Sequence, residues 1–144
     1  MGNVMRGVVR WQQDVRFQGE SSRGHTVLMD GPEDAGGKDA GFRPMELLLM
    51  GVGGCTSFDV VQILKKSKQD IHACWVEIEA ERRDEVPQVF TQIHLKFVLE
   101  GRNLSEARVE RAIALSAEKY CSASMMLEAG GVAVSHSHEL REIQ

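Results

Sequence analysis

Only three cysteines, Cys55, Cys74 and Cys121, occur in the 144 residues, an odd number set far apart. That excludes the dense disulfide framework of a small secreted domain, and thiols in a reducing compartment become the expectation. A basic excess is missing too. With 17 basic and 21 acidic residues the formal charge is −4, which disfavours nucleic acid and anionic membranes as partners. The opening MGNVMRGVVRWQQ lacks the charged start, apolar centre and small-residue cleavage site of a secretory signal. No apolar run reaches the ~18 residues that read as a membrane span. These absences predict a cytoplasmic protein without a membrane partner. There is also no C-x-x-C, H-E-x-x-H or G-x-S-x-G, so no metal, no cofactor and no Ser–His–Asp hydrolase is expected. His136 and His138 of HSH share one strand face and read as solvated rather than metal-binding.

A hydrophobic content of 42% is enough for one sizeable core, and a single domain spanning 1–144 is predicted. Its first part, 1–43, reads as an N-terminal β meander and loop. The runs MRGVVRW (5–11), DVRFQG (14–19) and HTVLMD (25–30) are its strands. GPEDAGGKDAG (31–41) has no apolar periodicity and reads as an exposed, mobile loop. From Pro44 to Gln69 the pattern is a long helix, with proline in its first turn and Lys65, Lys66 and Lys68 near its end. Its first half is apolar on nearly every side and belongs in the interior of the protein or of an oligomer.

Two long strands follow, HACWVEIEAERRD (72–84) and VFTQIHLKFVLEG (89–101), the second anchored by Phe90, Ile93, Leu95 and Phe97. Residues 105–120 read as an amphipathic helix capped by Ser105, with Val109, Ala112, Ile113 and Ser116 on one stripe. A short helical piece (121–131) and a terminal strand (132–143) complete an α+β domain.

Within LLLMGVGGCTSFDVV, Gly51, Gly53 and Gly54 would together cost a helix about 3 kcal/mol relative to alanine. Close approach by another helix offsets such a cost. The competing reading, a phosphate loop, fits poorly, because Thr56 stands where G-x-G-x-x-G needs glycine. Cys74 alternates with aliphatic residues and reads as a small hydrophobe. Cys121 opens a new helical turn whose free N–H groups can face its sulfur and lower the thiol pKa. Cys55 and Cys121 lie on the two elements expected to pack centrally. They are either a reversible disulfide pair or two unrelated core thiols.

RPMELLLMGVGGCTSFDVV and, 66 positions later, AEKYCSAS resemble the two cysteine motifs of the OsmC/Ohr family of thiol peroxidases. MDG, ERRDE and the order of the remaining elements extend the resemblance across nearly the whole chain, especially to the YhfA-like branch. It implies an intertwined homodimer, with central helices wrapped by antiparallel sheets and sites at the subunit interface. It further implies that Cys55 is the peroxidatic cysteine and Cys121 the resolving one. The activity would be reduction of a small organic hydroperoxide through a Cys55–Cys121 disulfide, reset by an external dithiol reductant in a response to oxidative stress.

One departure from the family pattern concerns activation. The glutamate that pairs with the family's activating arginine is replaced by Met45, and Glu46 matches its neighbour. That arginine does not map uniquely onto this chain; Arg16, Arg23 and Arg43 are the candidates, with Arg16 and Arg43 preferred. Arg43 either faces the thiolate, where a cation favours charged sulfur, or points into water. Met45, Met50, Met125 and Met126 suit a soft apolar pocket, core packing being the plainer reading. The alternative function is a noncatalytic dimer of the same fold that binds a small apolar ligand at its interface.

Overall fold

The β-prone runs at the start of the chain form a three-stranded antiparallel meander in the computed structural model, which describes residues 3–144. Its strands are β1 (Gly7–Gln13), β2 (Arg16–Ser21) and β3 (Thr26–Met29), in the order β1-β2-β3. Asp14, at φ 49°, makes the tight β1–β2 turn, and its carbonyl accepts the Trp11 indole N–H at 2.8 Å. Beyond β3 the chain forms the mostly exposed loop expected, but an ordered one. A 3₁₀ turn, Glu33–Ala35, and the Asp30 carboxylate organise it.

Helix α1 (Pro44–Lys66) starts at the proline, as its fixed φ and missing N–H favour. The Glu46 carboxylate accepts the backbone N–H of Arg43 at 2.7 Å, which is the N3-to-N-cap half of a capping box. The helix ends three residues before the expected Gln69. There the Ser67 hydroxyl donates to the carbonyls of Ile63 and Leu64, and Lys68 takes φ 61°. Mean hydropathy reaches 1.7 in an 18-residue window of α1, enough by length and composition alone to cross a membrane. The core helix of a globular protein passes the same test. Within that window 28% of the residues are buried, while Leu48, Met50 and Phe58 are exposed in the single chain.

Strands β4 (Asp70–Arg82) and β5 (Phe90–Arg102) form a long antiparallel hairpin, and β6 (Ala133–Glu142) adds to β5. Antiparallel sheets were expected, but β6 runs parallel to β5. The reason is the connection: α2 (Glu106–Leu115), a π-helical turn (Ser116–Tyr120) and α3 (Ser122–Ala129) carry the chain back to the end where β5 began. As read from sequence, Ser105 caps α2, its hydroxyl accepting the Arg108 N–H at 3.3 Å.

Residue contacts divide the chain into two units, one ending at Leu48 and the other Leu49–Gln144, so the boundary falls inside α1. The second unit holds the core: Ile93, Leu95, Phe97, Val98 and Leu99 of β5, Val60 and Leu64 of α1, and Val109, Ala112 and Ile113 of α2. The α1 glycines serve this packing differently from the expectation. A Cβ on Gly53 would lie 2.8 Å from Ile78 Cδ1 and 3.2 Å from Val76 Cγ1, so the close approach is to strand β4 and not to another helix. Gly51 and Gly54 face open space.

Candidate functional site

Cys55 lies in the middle of α1, half-buried, with Thr56 beside it and Asp59 one turn further along the same face. The other half of the site is built where α2 ends. A regular helix would continue through residue 120; instead the chain makes one π turn, and the Cys121 N–H donates to the Ser116 carbonyl at 2.8 Å. Cys121 then leaves helical geometry, at φ −78° and ψ 100°, and caps α3. Its sulfur accepts the Ser124 N–H at 3.4 Å, so one free N–H of the new turn meets this thiol.

The structure makes the two cysteines neighbours, Cys55 being one of the groups that act on the Cys121 thiol. Cys121 is fully buried and Cys55 is not. Burial pushes the Cys121 thiol above its ordinary pKa. The Ser124 hydrogen bonds pull it down, and the neighbouring Cys55 pushes it up again; the net rise corrects the lowered thiol expected from sequence, because burial outweighs the new turn. The pair therefore combines an accessible sulfur with a shielded, protonated one. Cys74 is half-buried in β4 opposite Leu99, and burial alone raises its thiol.

Beneath the thiols is a polar cluster that the sequence reading missed. The buried Ser116 hydroxyl donates to Asp59 Oδ2 at 2.9 Å and lies 3.0 Å from the buried Thr56 hydroxyl. A signal for it existed, because a serine on the apolar stripe of α2 must find a partner once buried.

The remaining site candidates belong to the first unit, or to the part of α1 assigned to it. Arg43 donates to the Asp39 carboxylate at 2.9 Å and to the Asp30 carbonyl at 3.4 Å. Glu46 is taken up in capping α1, and Met45 is half-buried. Arg16 is different, for its Nε is buried with no hydrogen-bond partner among the described residues. Asp30, also missed from sequence, is buried and accepts N–H groups from Gly31, Lys38 and Ala40 at 2.8, 3.2 and 3.1 Å. Burial pushes its pKa up, but these three bonds and the charge of Arg16 outweigh it and hold the carboxyl below its ordinary value.

Two expectations need correction. Met50, Met125 and Met126 are not core residues: they are 48%, 43% and 69% exposed, because the elements carrying them leave these faces uncovered in one chain. HSH is not simply solvated either. His136 stacks on Phe97, and His138 is hydrogen-bonded to Glu106, because β6 turns this face toward α2. With Glu110 the latter pair places three possible ligand atoms within 4.8 Å of one another.

The family described as OsmC-like protein matches residues 36–137. Protein YhfA of Escherichia coli K12 is 48% identical over 136 residues, covering 94% of this chain and 98% of that protein. A hypothetical protein from Aquifex aeolicus VF5 superposes with a TM-score of 0.86 at 28% identity, over 99% of this chain and 100% of that one. A Legionella pneumophila protein described as an organic hydroperoxide resistance protein OsmC shares the fold, with a TM-score of 0.69 at 16% identity and coverage of 95% and 97%. The chain therefore belongs to the OsmC-like family.

Proposed function

We propose that the protein reduces organic hydroperoxides with Cys55 as the attacking thiolate and Cys121 as the resolving thiol. What carries this reading is that a half-exposed Cys55 is the neighbour of a fully buried Cys121 and acts on its thiol. A peroxide can reach the first sulfur, whereas the second is kept for its neighbour. Fold relatives described as organic hydroperoxide resistance proteins, from Legionella pneumophila and Bacillus subtilis, support the reaction class. Exposed Met125 and Met126, on the helix that Cys121 caps, suit an apolar peroxide better than hydrogen peroxide. An external dithiol then reduces the disulfide, in keeping with a reducing, cytoplasmic setting.

The working unit is a homodimer. Met50 and Phe58 of α1 are 48% and 65% exposed, and Gly51 and Gly54 have nothing within 4 Å of a Cβ position, leaving room for a second copy of the helix. Of the two arginines preferred from sequence, Arg16 has the unused donor, while Arg43 is engaged by Asp39 and Asp30. Arg16→Met is therefore expected to slow peroxide reduction more than Arg43→Met.

The test is to treat the reduced protein with cumene hydroperoxide, follow its consumption, and map the thiols by mass spectrometry. A Cys55–Cys121 disulfide is expected. Cys55→Ser should abolish turnover, and Cys121→Ser should let sulfenic acid accumulate at Cys55. Both thiols remaining free in excess peroxide would leave the noncatalytic apolar-ligand binder as the better account.

A further inference from the structure

One residue, Ser116, holds both halves of the thiol pair. Its carbonyl accepts the backbone N–H of Cys121 at 2.8 Å, closing the π turn. Its hydroxyl reaches across to α1, donating to Asp59 Oδ2 at 2.9 Å with Thr56 Oγ1 at 3.0 Å. An ionised carboxylate only accepts, so the single Ser116 proton goes to Asp59 and the Thr56 hydroxyl donates to Ser116. Thr56 adjoins Cys55, and Asp59 lies four residues beyond it, on the same helical face. The π turn adds one residue to the ordinary helical repeat, and each residue turns a helix by about 100°, so this turn re-aims whatever follows it.

Thr56 and Ser116 are 1% and 0% exposed, so their bonds are shielded from competing water. Asp59 is half-buried and borders an open cavity of about 630 Å³ shared with Phe58, Gln62, Ile63 and Tyr120.

From this juxtaposition we infer that Asp59, Ser116 and Thr56 form a clamp that positions Cys121 for attack on oxidised Cys55, and so governs the rate of disulfide closure. The inference rests on the peroxidase reading for its physiological step, though not for its geometry. In that step a hydroperoxide first transfers its terminal oxygen to the Cys55 thiolate, giving the sulfenic acid and an alcohol. The Cys121 sulfur then bonds to the Cys55 sulfur, the Cys55 S–O bond breaks, and the oxygen leaves with the thiol proton as water. Two thiols have given two electrons to one O–O bond. Asp59, Ser116 and Thr56 touch neither peroxide nor the reacting sulfurs in this scheme. They are positioning residues.

The experiment uses the full-length protein and two independent readouts. In a glutathione redox buffer, the equilibrium between dithiol and Cys55–Cys121 disulfide measures the effective concentration of one thiol at the other, with no peroxide present. After a cumene hydroperoxide pulse, trapping with a dimedone reagent reports separately how fast Cys55 sulfenic acid forms and how fast it disappears. Ser116→Ala keeps the carbonyl and removes the clamp. It should lower the effective concentration and slow sulfenic acid decay by about tenfold, while formation stays within about twofold.

Asp59→Asn keeps an acceptor oxygen for Ser116 and should remain near the parent, whereas Asp59→Ala should follow Ser116→Ala. Should the buried Ser116→Ala variant not fold, Asp59→Ala carries the test from a half-exposed position. A role in stability alone would lower the melting temperature while leaving effective concentration within about twofold of the parent, and that result overturns the inference. A parent protein that forms no sulfenic acid would instead sink the peroxidase reading, with the redox-buffer titration still deciding the clamp.

Discussion

The two three-stranded sheets of this chain are opposites. In β4–β6 the apolar side chains of the central strand are buried: Ile93, Leu95, Phe97 and Leu99 on one face and Val98 on the other are each at most 1% exposed. In β1–β3 every residue of β1 is exposed, with Val9 at 62% and Trp11 at 66%. The sequences do not forecast this, since VVRW is as strand-prone and apolar as IHLKF. The second sheet has helices whose apolar stripes belong to the same unit. The first has no helix of its own to cover it, so what surrounds a strand, and not its propensity, decides whether it becomes core.

The largest effect that would test this contrast lies in β5. Phe97→Ala should destabilise the protein by about 3–5 kcal/mol in urea titrations, since it empties a fully buried site and removes the stack on His136. Val9→Ala should cost no more than about 0.5 kcal/mol in dilute protein. An equal loss at both positions would mean that the first sheet is covered after all. A Val9 effect that grows with protein concentration would identify the cover as a second copy of the chain.

A smaller effect separates two adjacent glycines of α1. Gly53→Ala puts a methyl group 2.8 Å from Ile78 Cδ1 and should destabilise by about 1 kcal/mol, less than a backbone clash would, because the Ile78 terminus can swing aside. Gly54→Ala meets nothing within 4 Å and should stabilise an isolated chain by up to about 1 kcal/mol through helix propensity. Melting curves over a range of concentrations check both. If Gly54→Ala also destabilises, but only where the parent is dimeric, the open face of α1 is an interface.

Much of this was legible in the residues. Pro44 marked the start of α1, Ser105 the start of α2, and alternation marked Ile93, Leu95 and Phe97 as core. The thiol pair was readable only as one of two alternatives, because helix packing, which brings residues 55 and 121 together, leaves no local pattern. Strand direction has no side-chain signature either, so the parallel pairing of β6 with β5 could not be seen. The π turn arises from one carbonyl choosing a partner five residues away, and the Glu46 carboxylate caps its own helix. Both are hydrogen-bond decisions, and sequence states which groups are present without saying which pair.

The smallest effect concerns how the first unit is held without a buried apolar core. Asp30 gathers N–H groups from Gly31, Lys38 and Ala40, closing residues 30–40 by polar bonds. Burial raises its pKa, but those bonds and Arg16 prevail, so the folded carboxyl titrates below the ordinary 3.8. A depressed folded pKa contributes stability that is fully present above 3.8 and is lost as pH falls through the lower folded value. Asp30→Asn offers one acceptor oxygen for three donors and brings an NH2 group toward them. Amide protection at Lys38 and Ala40, compared at matched pH, should therefore be weaker in Asp30→Asn near neutrality. The gap should close as the parent is acidified below 3.8. A gap unchanged from neutral pH to well below that value would show that the loop is held by its turns and by the packing of Gly37 on the Gly31 carbonyl, without the charge of Asp30.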